Sequence, residues 1–294
     1  MNWFLKWYYW FQNLGDEILL IWIINRIFRN YHINNLIIYT KDSARLSDRL
    51  LKNDELLEVS MDNINFTNKK FFKTQAKLNF WWWWEVLTHE RNFPYNWWIY
   101  PLNYPMDVLV GNYVLIWWLW SKKSSSLLYK LLLSKASSII TREEYSYKIS
   151  KEYNSNTTLH KDFALDVVDS IYKDPDIHID TQEKQNILIN INPESVTDQN
   201  FEKIFDYIKN NNSKNIYFVP WEFEKDVKYY TFLQNQIPQL KLFDWRDYNI
   251  YEIINFFSKA KIWIWARLHF LLLLKYLWKD YIPFFYQEKI NKLI

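Results

Sequence analysis

The chain contains no cysteine, only two glycines (Gly15 and Gly111), and no long block of one charge. Without cysteine there is no disulfide framework and no thiolate-ligated zinc. The five histidines, His32, His89, His160, His178 and His269, are scattered. None falls at a spacing that holds a metal, so no metal site is expected. Thirty-six basic and 33 acidic residues leave a formal net charge of +3. No basic block stands apart from the acids, which argues against a nucleic-acid partner. Long apolar runs are missing too. The nearest to a membrane span, residues 108–120, is too short and holds Gly111 and Asn112. The apolar N-terminal stretch is interrupted by Asp16 and Glu17, with no small-residue cleavage site after it. A cytoplasmic protein is the expectation.

What is present is ordinary in bulk. Hydrophobic residues make up 49% and charged residues 23% of 294, enough for a sizeable core and for one large domain or two of common size. Tryptophan is the exception, with 18 against 2 glycines. Together these make roughly the 20 glycines that a usage of about 7% implies for this length. An α/β chain needs glycine for tight turns and positive φ. The indoles also cluster: Trp81, Trp82, Trp83 and Trp84 in a row after Leu78 and Phe80, then Trp117, Trp118 and Trp120 after an apolar run. Both blocks read as turns at strand ends, where glycine is expected. The reading that accounts for this is UGA recoding, with codons that the organism reads as glycine translated as tryptophan, as in some bacterial lineages. The competing reading is a non-catalytic, aromatic-rich membrane-surface protein whose indoles form an interfacial belt.

Hydrophobic periodicity alternates strands with helices. Strands are expected over residues 4–9, 36–39, 77–80 and 138–141, and helices over 18–28, 43–51, 124–134 and 143–151. Residues 167–185 turn polar and acidic and read as a linker. A second series follows, with strands at 186–191, 215–219, 240–243, 261–265 and 282–286 and helices at 199–209, 224–234, 251–258 and 268–277. The fold class is therefore α/β, with two Rossmann-like domains at 1–166 and 186–294. In open parallel sheets ligands bind beyond the carboxyl ends of the strands, so those turns are where chemistry is sought.

With glycine at Trp7 and Trp10, the start of the chain reads Gly-Tyr-Tyr-Gly-Phe and then Asn13, Gly15, Asp16 and Glu17. Thr141, Arg142, Glu143, Glu144 and Ser146 form an Arg-acid-x-x-Ser segment where a strand meets a helix. Near the C-terminus, Trp265, Arg267 and His269 become Gly-x-Arg-x-His, followed after Pro283 by Tyr286 and Lys289. These motifs, in this order over nearly the whole chain, resemble the polysaccharide pyruvyl transferase family. On bare sequence each residue also has a plain reading. Asp16 and Glu17 suit the positive end of a helix dipole, and Arg142 could pair with Glu143 or Glu144.

The resemblance implies two Rossmann-like domains facing a cleft in a GT-B-like arrangement, with the acceptor on the first domain and the donor on the second. It implies transfer of a pyruvyl group from phosphoenolpyruvate to a sugar of a cell-surface glycan or its lipid-linked precursor, as a ketal. No cofactor is implied; phosphoenolpyruvate is the donor substrate. Arg142, Arg267 and Lys289 would bind its phosphate and carboxylate, and His269 would move a proton. Asn13, Gly15, Asp16 and Glu17 would bind substrate, with free N–H groups at the helix start. A lipid-borne acceptor would bring transient contact with the inner membrane face. The alternative enzyme is a GT-B glycosyltransferase using a nucleotide sugar. Trp221 and Trp245 lie outside any glycine motif and read as genuine tryptophans.

The recoding has a direct check. Peptide mass spectrometry across residues 78–91 of the protein from its own host is expected to find glycine at positions 81–84. Tryptophan there overturns the recoding and favours the aromatic-surface reading.

Overall fold

The structure, a computed structural model, describes residues 3–6, 13–40, 42–68, 79–84, 113–118, 127–141, 144–160, 163–173, 186–191, 197–211, 215–265 and 281–283. Among them stand two sheets, one of seven strands and one of five. Every pairing in both sheets is parallel.

The first sheet contains β1 (Trp3–Lys6), β2 (Leu36–Tyr39), β3 (Ile64–Thr67), β4 (Asn79–Trp84), β5 (Tyr113–Trp118), β6 (Ser138–Thr141) and β7 (Thr157–Leu159). Their order is β3-β2-β1-β4-β5-β6-β7. The helices interspersed with or following these strands in the chain are α1 (Leu14–Tyr31), α2 (Ser43–Leu51), α3 (Leu127–Lys135), α4 (Glu144–Tyr153) and α5 (Phe163–Lys173). The second sheet contains β8 (Asn186–Ile189), β9 (Ile216–Phe218), β10 (Leu240–Leu242), β11 (Ala260–Trp265) and β12 (Tyr281–Pro283). Its order, β10-β9-β8-β11-β12, repeats the pattern of the first, with the earliest strand inside and later strands added on both sides. Its helices are α6 (Asp198–Asn211), α7 (Phe223–Gln236) and α8 (Ile250–Ser258). In each sheet the chain reverses direction of growth beside the first strand, between β1 and β4 and between β8 and β11. Such switch points open a crevice at the carboxyl ends of the strands.

The apolar runs explain the burial. Ile187, Leu188 and Ile189 of β8 are all inaccessible, as a parallel strand covered on both faces requires. Ile187 and Ile189 pack with Ile204 of α6, Phe218 of β9, Leu233 of α7 and Ile264 of β11. Helix α1 is buried almost all round, with Leu19, Leu20, Ile23 and Ile24 inaccessible. Helix α8 starts with a capping box: Glu252 N donates to the Asn249 side chain at 2.9 Å, and Asn249 N to the Glu252 carboxylate at 2.8 Å.

The chain divides into two compact units. One comprises Met1–Tyr9 and Ile24–Phe163, the other Trp10–Ile23 and Ala164–Ile294. The first half of α1 and nearly all of α5 thus belong to the unit of the second sheet. Residues 167–173 of the stretch read as a linker are the end of α5, where Val167, Val168 and Ile171 are buried.

Several expectations need correction. The block Trp81–Trp84 is not a turn: β4 runs to Trp84, in register with β5 as Trp81↔Leu115, Trp82↔Ile116, Trp83↔Trp117 and Trp84↔Trp118. Trp117 and Trp118 are likewise strand residues. Tryptophan is a good strand former, and its backbone carries a full ladder here. Strands β3 and β7 have no counterpart in the sequence reading, because Ile-Asn-Phe-Thr and Thr-Thr-Leu carry no apolar run like the one that marks β2. Residues 268–277, read as a helix, lie outside the described residues.

Scarcity of glycine leaves one mark on the described backbone. His32, just past α1, has φ 46° and is the one non-glycine residue with positive φ among them. Left-handed backbone after a helix is where glycine is ordinarily placed. His32→Gly is expected to stabilise the protein by about 0.5–1 kcal/mol, seen as a higher urea midpoint at unchanged slope.

Candidate functional site

Four of the residues picked from the sequence are described: Asn13, Gly15, Asp16 and Glu17. Arg142, Arg267, His269 and Lys289 lie outside the described residues. Strand β6 ends at Thr141, one residue before Arg142, and β11 ends at Trp265, two before Arg267.

Asn13 caps α1. Its side-chain oxygen accepts from Gly15 N at 3.1 Å, and its carbonyl accepts from Asp16 N at 3.1 Å and Glu17 N at 3.2 Å. Leu14 N donates to the carbonyl of Trp221 at 3.1 Å, and Asn13 forms an antiparallel bridge with Glu222. The first four amides of the helix are therefore all engaged within the chain. This corrects the expectation of free N–H groups there: Asn13 and the carbonyl of Trp221 use them up. What the turn offers instead is carboxylates, with Asp16 buried and Glu17 half-buried.

The turn that receives α1 follows β9, at the carboxyl edge of the second sheet. Its backbone is fully partnered. Val219 N donates to Ile189 O at 2.8 Å, and Val219 O accepts from Asn190 Nδ2 at 2.8 Å. Pro220 has no N–H, and its carbonyl accepts from the indole of Trp245. Trp221 N and Glu222 N both donate to Oδ2 of Asp226 at 3.0 Å. Glu222 O accepts from Lys225 N at 3.0 Å and Asp226 N at 2.9 Å. Trp221, Trp245 and Asp226 are buried, while the Glu222 side chain pairs with Lys225.

Asn190 stands directly after β8, at the switch point. It is inaccessible, and its N–H donates to Ile264 O of β11 at 2.9 Å. Its Nδ2 also reaches Oδ2 of Asp226 at 3.2 Å. Two acceptors on the same side fix which end of the amide is nitrogen. Beyond β10, the Arg246 guanidinium forks onto Asp244 and lies 3.4 Å from the centre of the Phe223 ring. The hydrogen bond that Arg246 donates to Asp244 raises the pKa of Arg246 above its ordinary value, with Asp247 and Glu224 adding to the effect against its partial burial.

The sequence reading missed Asn190, Glu222 and Asp226. A strand-end Asn was a weak signal for the first. Asp226 looks like any acid in the first turn of a helix, and only the fold shows it inaccessible. Among the described residues no group of three or more His, Cys, Asp or Glu could hold a metal ion, and no helix is long and apolar enough to cross a membrane.

The family model described as polysaccharide pyruvyl transferase matches residues 13–273 of the chain. No curated protein matches it.

The capping geometry can be tested alone. Asn13→Ala is expected to cost about 1 kcal/mol of stability by urea unfolding, and Asn13→Asp to recover most of it, because a carboxylate accepts the same amide bond.

Proposed function

The chain belongs to the polysaccharide pyruvyl transferase family, and on that footing we propose that it transfers the pyruvyl group of phosphoenolpyruvate to a saccharide, as a ketal. The observation that carries this is the extent of the match. Residues 13–273 take in Asn13 to Glu17, Arg142, Arg267 and His269 in their expected order, and leave out Lys289.

In the proposed reaction two neighbouring sugar hydroxyls add to the enol carbon of phosphoenolpyruvate. One hydroxyl proton ends on the methylene carbon, which becomes methyl. The carbon–oxygen bond to phosphate breaks, and inorganic phosphate leaves with the second proton. Arg142, Arg267 and Lys289 would hold the donor's phosphate and carboxylate, for which a guanidinium fork and an ammonium are suited. His269 would carry the proton to carbon or take it from a hydroxyl. Asn13, Gly15, Asp16 and Glu17 would line the acceptor, with the carboxylates accepting from sugar hydroxyls. What supports these roles is that β6 and β11 end one and two residues before Arg142 and Arg267, at the sheet edges where such folds bind ligands. A GT-B-like pairing of the two units, a lipid-borne acceptor and a cytoplasmic site of action beside the inner membrane belong to the same proposal. So does the recoding of the clustered tryptophans as glycine.

The test is release of inorganic phosphate from phosphoenolpyruvate in the presence of a panel of octyl glycosides (gluco, galacto, manno and N-acetylglucosamine). Release that needs both substrates, with a pyruvyl mass increment on the glycoside, is the expected result. His269→Ala is expected to lower the rate by about 100-fold or more while phosphoenolpyruvate still raises the melting temperature. An unimpaired rate would sink the role of His269. Turnover of a nucleotide sugar and none of phosphoenolpyruvate would overturn pyruvyl transfer.

A further inference from the structure

Three donors converge on one oxygen of Asp226. Trp221 N and Glu222 N reach Oδ2 at 3.0 Å each, and Asn190 Nδ2 at 3.2 Å. The residue is inaccessible. A carboxylate removed from water is costly unless donors compensate it, so a buried Asp with such a set is a commitment of the fold. The groups it gathers are not arbitrary. Asn190 ends β8 at the switch point. Trp221 and Glu222 are the two residues on which the start of α1 is seated, through Leu14 N to Trp221 O at 3.1 Å and the bridge from Asn13 to Glu222. Asp226 itself lies on α7 and reaches neither Asn13 nor Leu14 in any of these bonds. It acts on them through the peptide units of 221 and 222.

We propose that Asp226 is a positioning residue for the acceptor-binding turn Asn13–Glu17: its carboxylate holds the 219–222 turn in the one orientation that presents the Trp221 carbonyl to Leu14. This rests on the reading that Asn13 to Glu17 contact the saccharide. The physical logic is a lever. Swinging the peptide between 221 and 222 away from Asp226 turns the Trp221 carbonyl with it, because the two groups share one planar unit. The Leu14 amide then loses its acceptor, and Asp16 and Glu17, in the same first turn of the helix, shift relative to the sheet edge. Shifts of about 1 Å in a positioning element are enough to change rates greatly.

Two variants cut the lever at opposite ends. Asp226→Asn keeps the shape and removes the charge from the donors. Leu14→Pro removes the N–H at the first helical position, where proline is tolerated. Each is measured in two ways on the full chain: hydrogen–deuterium exchange of peptides covering residues 13–20, and KM for phosphoenolpyruvate and for whichever octyl glycoside of the panel supports turnover. Both variants are expected to speed exchange over 13–20 and to raise the glycoside KM about tenfold, with the phosphoenolpyruvate KM within twofold of wild type. A merely structural role would instead lower the active fraction, reducing kcat with both KM values unchanged. That outcome, or exchange over 13–20 unaltered in Asp226→Asn, overturns the proposal. A wild-type protein that releases no phosphate from phosphoenolpyruvate with any glycoside overturns the pyruvyl-transfer reading first, and the positioning role given to Asp226 with it.

Discussion

One oxygen atom organises the carboxyl edge of the second sheet. Oδ2 of Asp226 accepts from two peptide N–H groups and a side-chain amide, and the carbonyl beside them takes the first amide of α1. Remove that acceptor and the amides of Trp221 and Glu222 lose this bond together, while Asn190 Nδ2 is left with the Val219 carbonyl, each lost bond carrying a cost. The surrounding groups leave little slack. Proline at 220 has no N–H to satisfy, and Trp245 supplies the donor for its carbonyl. A strand-end turn that might have been soft is closed by side chains from α7, from the segment after β10 and from the end of β8.

The two sheets share a plan that follows from parallel pairing. A parallel strand needs a crossover, and right-handed crossovers that grow first one way and then the other place the earliest strand inside. Asn190 sits at that place in the second sheet. Two of the residues proposed for the donor follow strands on one side of it in the sheet: Arg267 after β11, and Lys289 after β12. Arg246, beyond β10, is a cation at the same edge that is already committed to Asp244, and the raised pKa is the electrostatic sign of that commitment.

How much of this was legible beforehand differs by element. Strand 36–39 and helix 43–51 could be read to the residue, because Leu36 to Tyr39 is a pure apolar run and Asp42 marks the helix start with a side-chain cap. The strands at 64–67 and 157–159 could not, since polar residues interrupt them and no apolar run marks them. The tryptophan block misled: glycine composition argued for a turn at 81–84, while the backbone pairs as strand to Trp84. At the site, the helix expected from residue 18 begins at Leu14 with Asn13 as its cap; the partner of that cap lies far along the chain, and no local pattern reveals Trp221 or Glu222. Asp226 was illegible for the same reason. Burial of an acid is decided by tertiary neighbours, and its spacing on α7 looks like that of a solvated one.

The seat of α1 also bears on how the chain is made. Leu14 and Trp221 are separated by roughly 200 residues, so at about 5–20 residues per second the ribosome delivers the carbonyl some 10–40 seconds after the amide that needs it. Throughout that interval the start of α1, with Leu14, Ile18, Leu19 and Ile23 destined for burial, has no finished surface to lie against. A nascent chain of this sequence would therefore be a client for holding chaperones early in synthesis, and its second unit could become complete only after the polypeptide has passed residue 221.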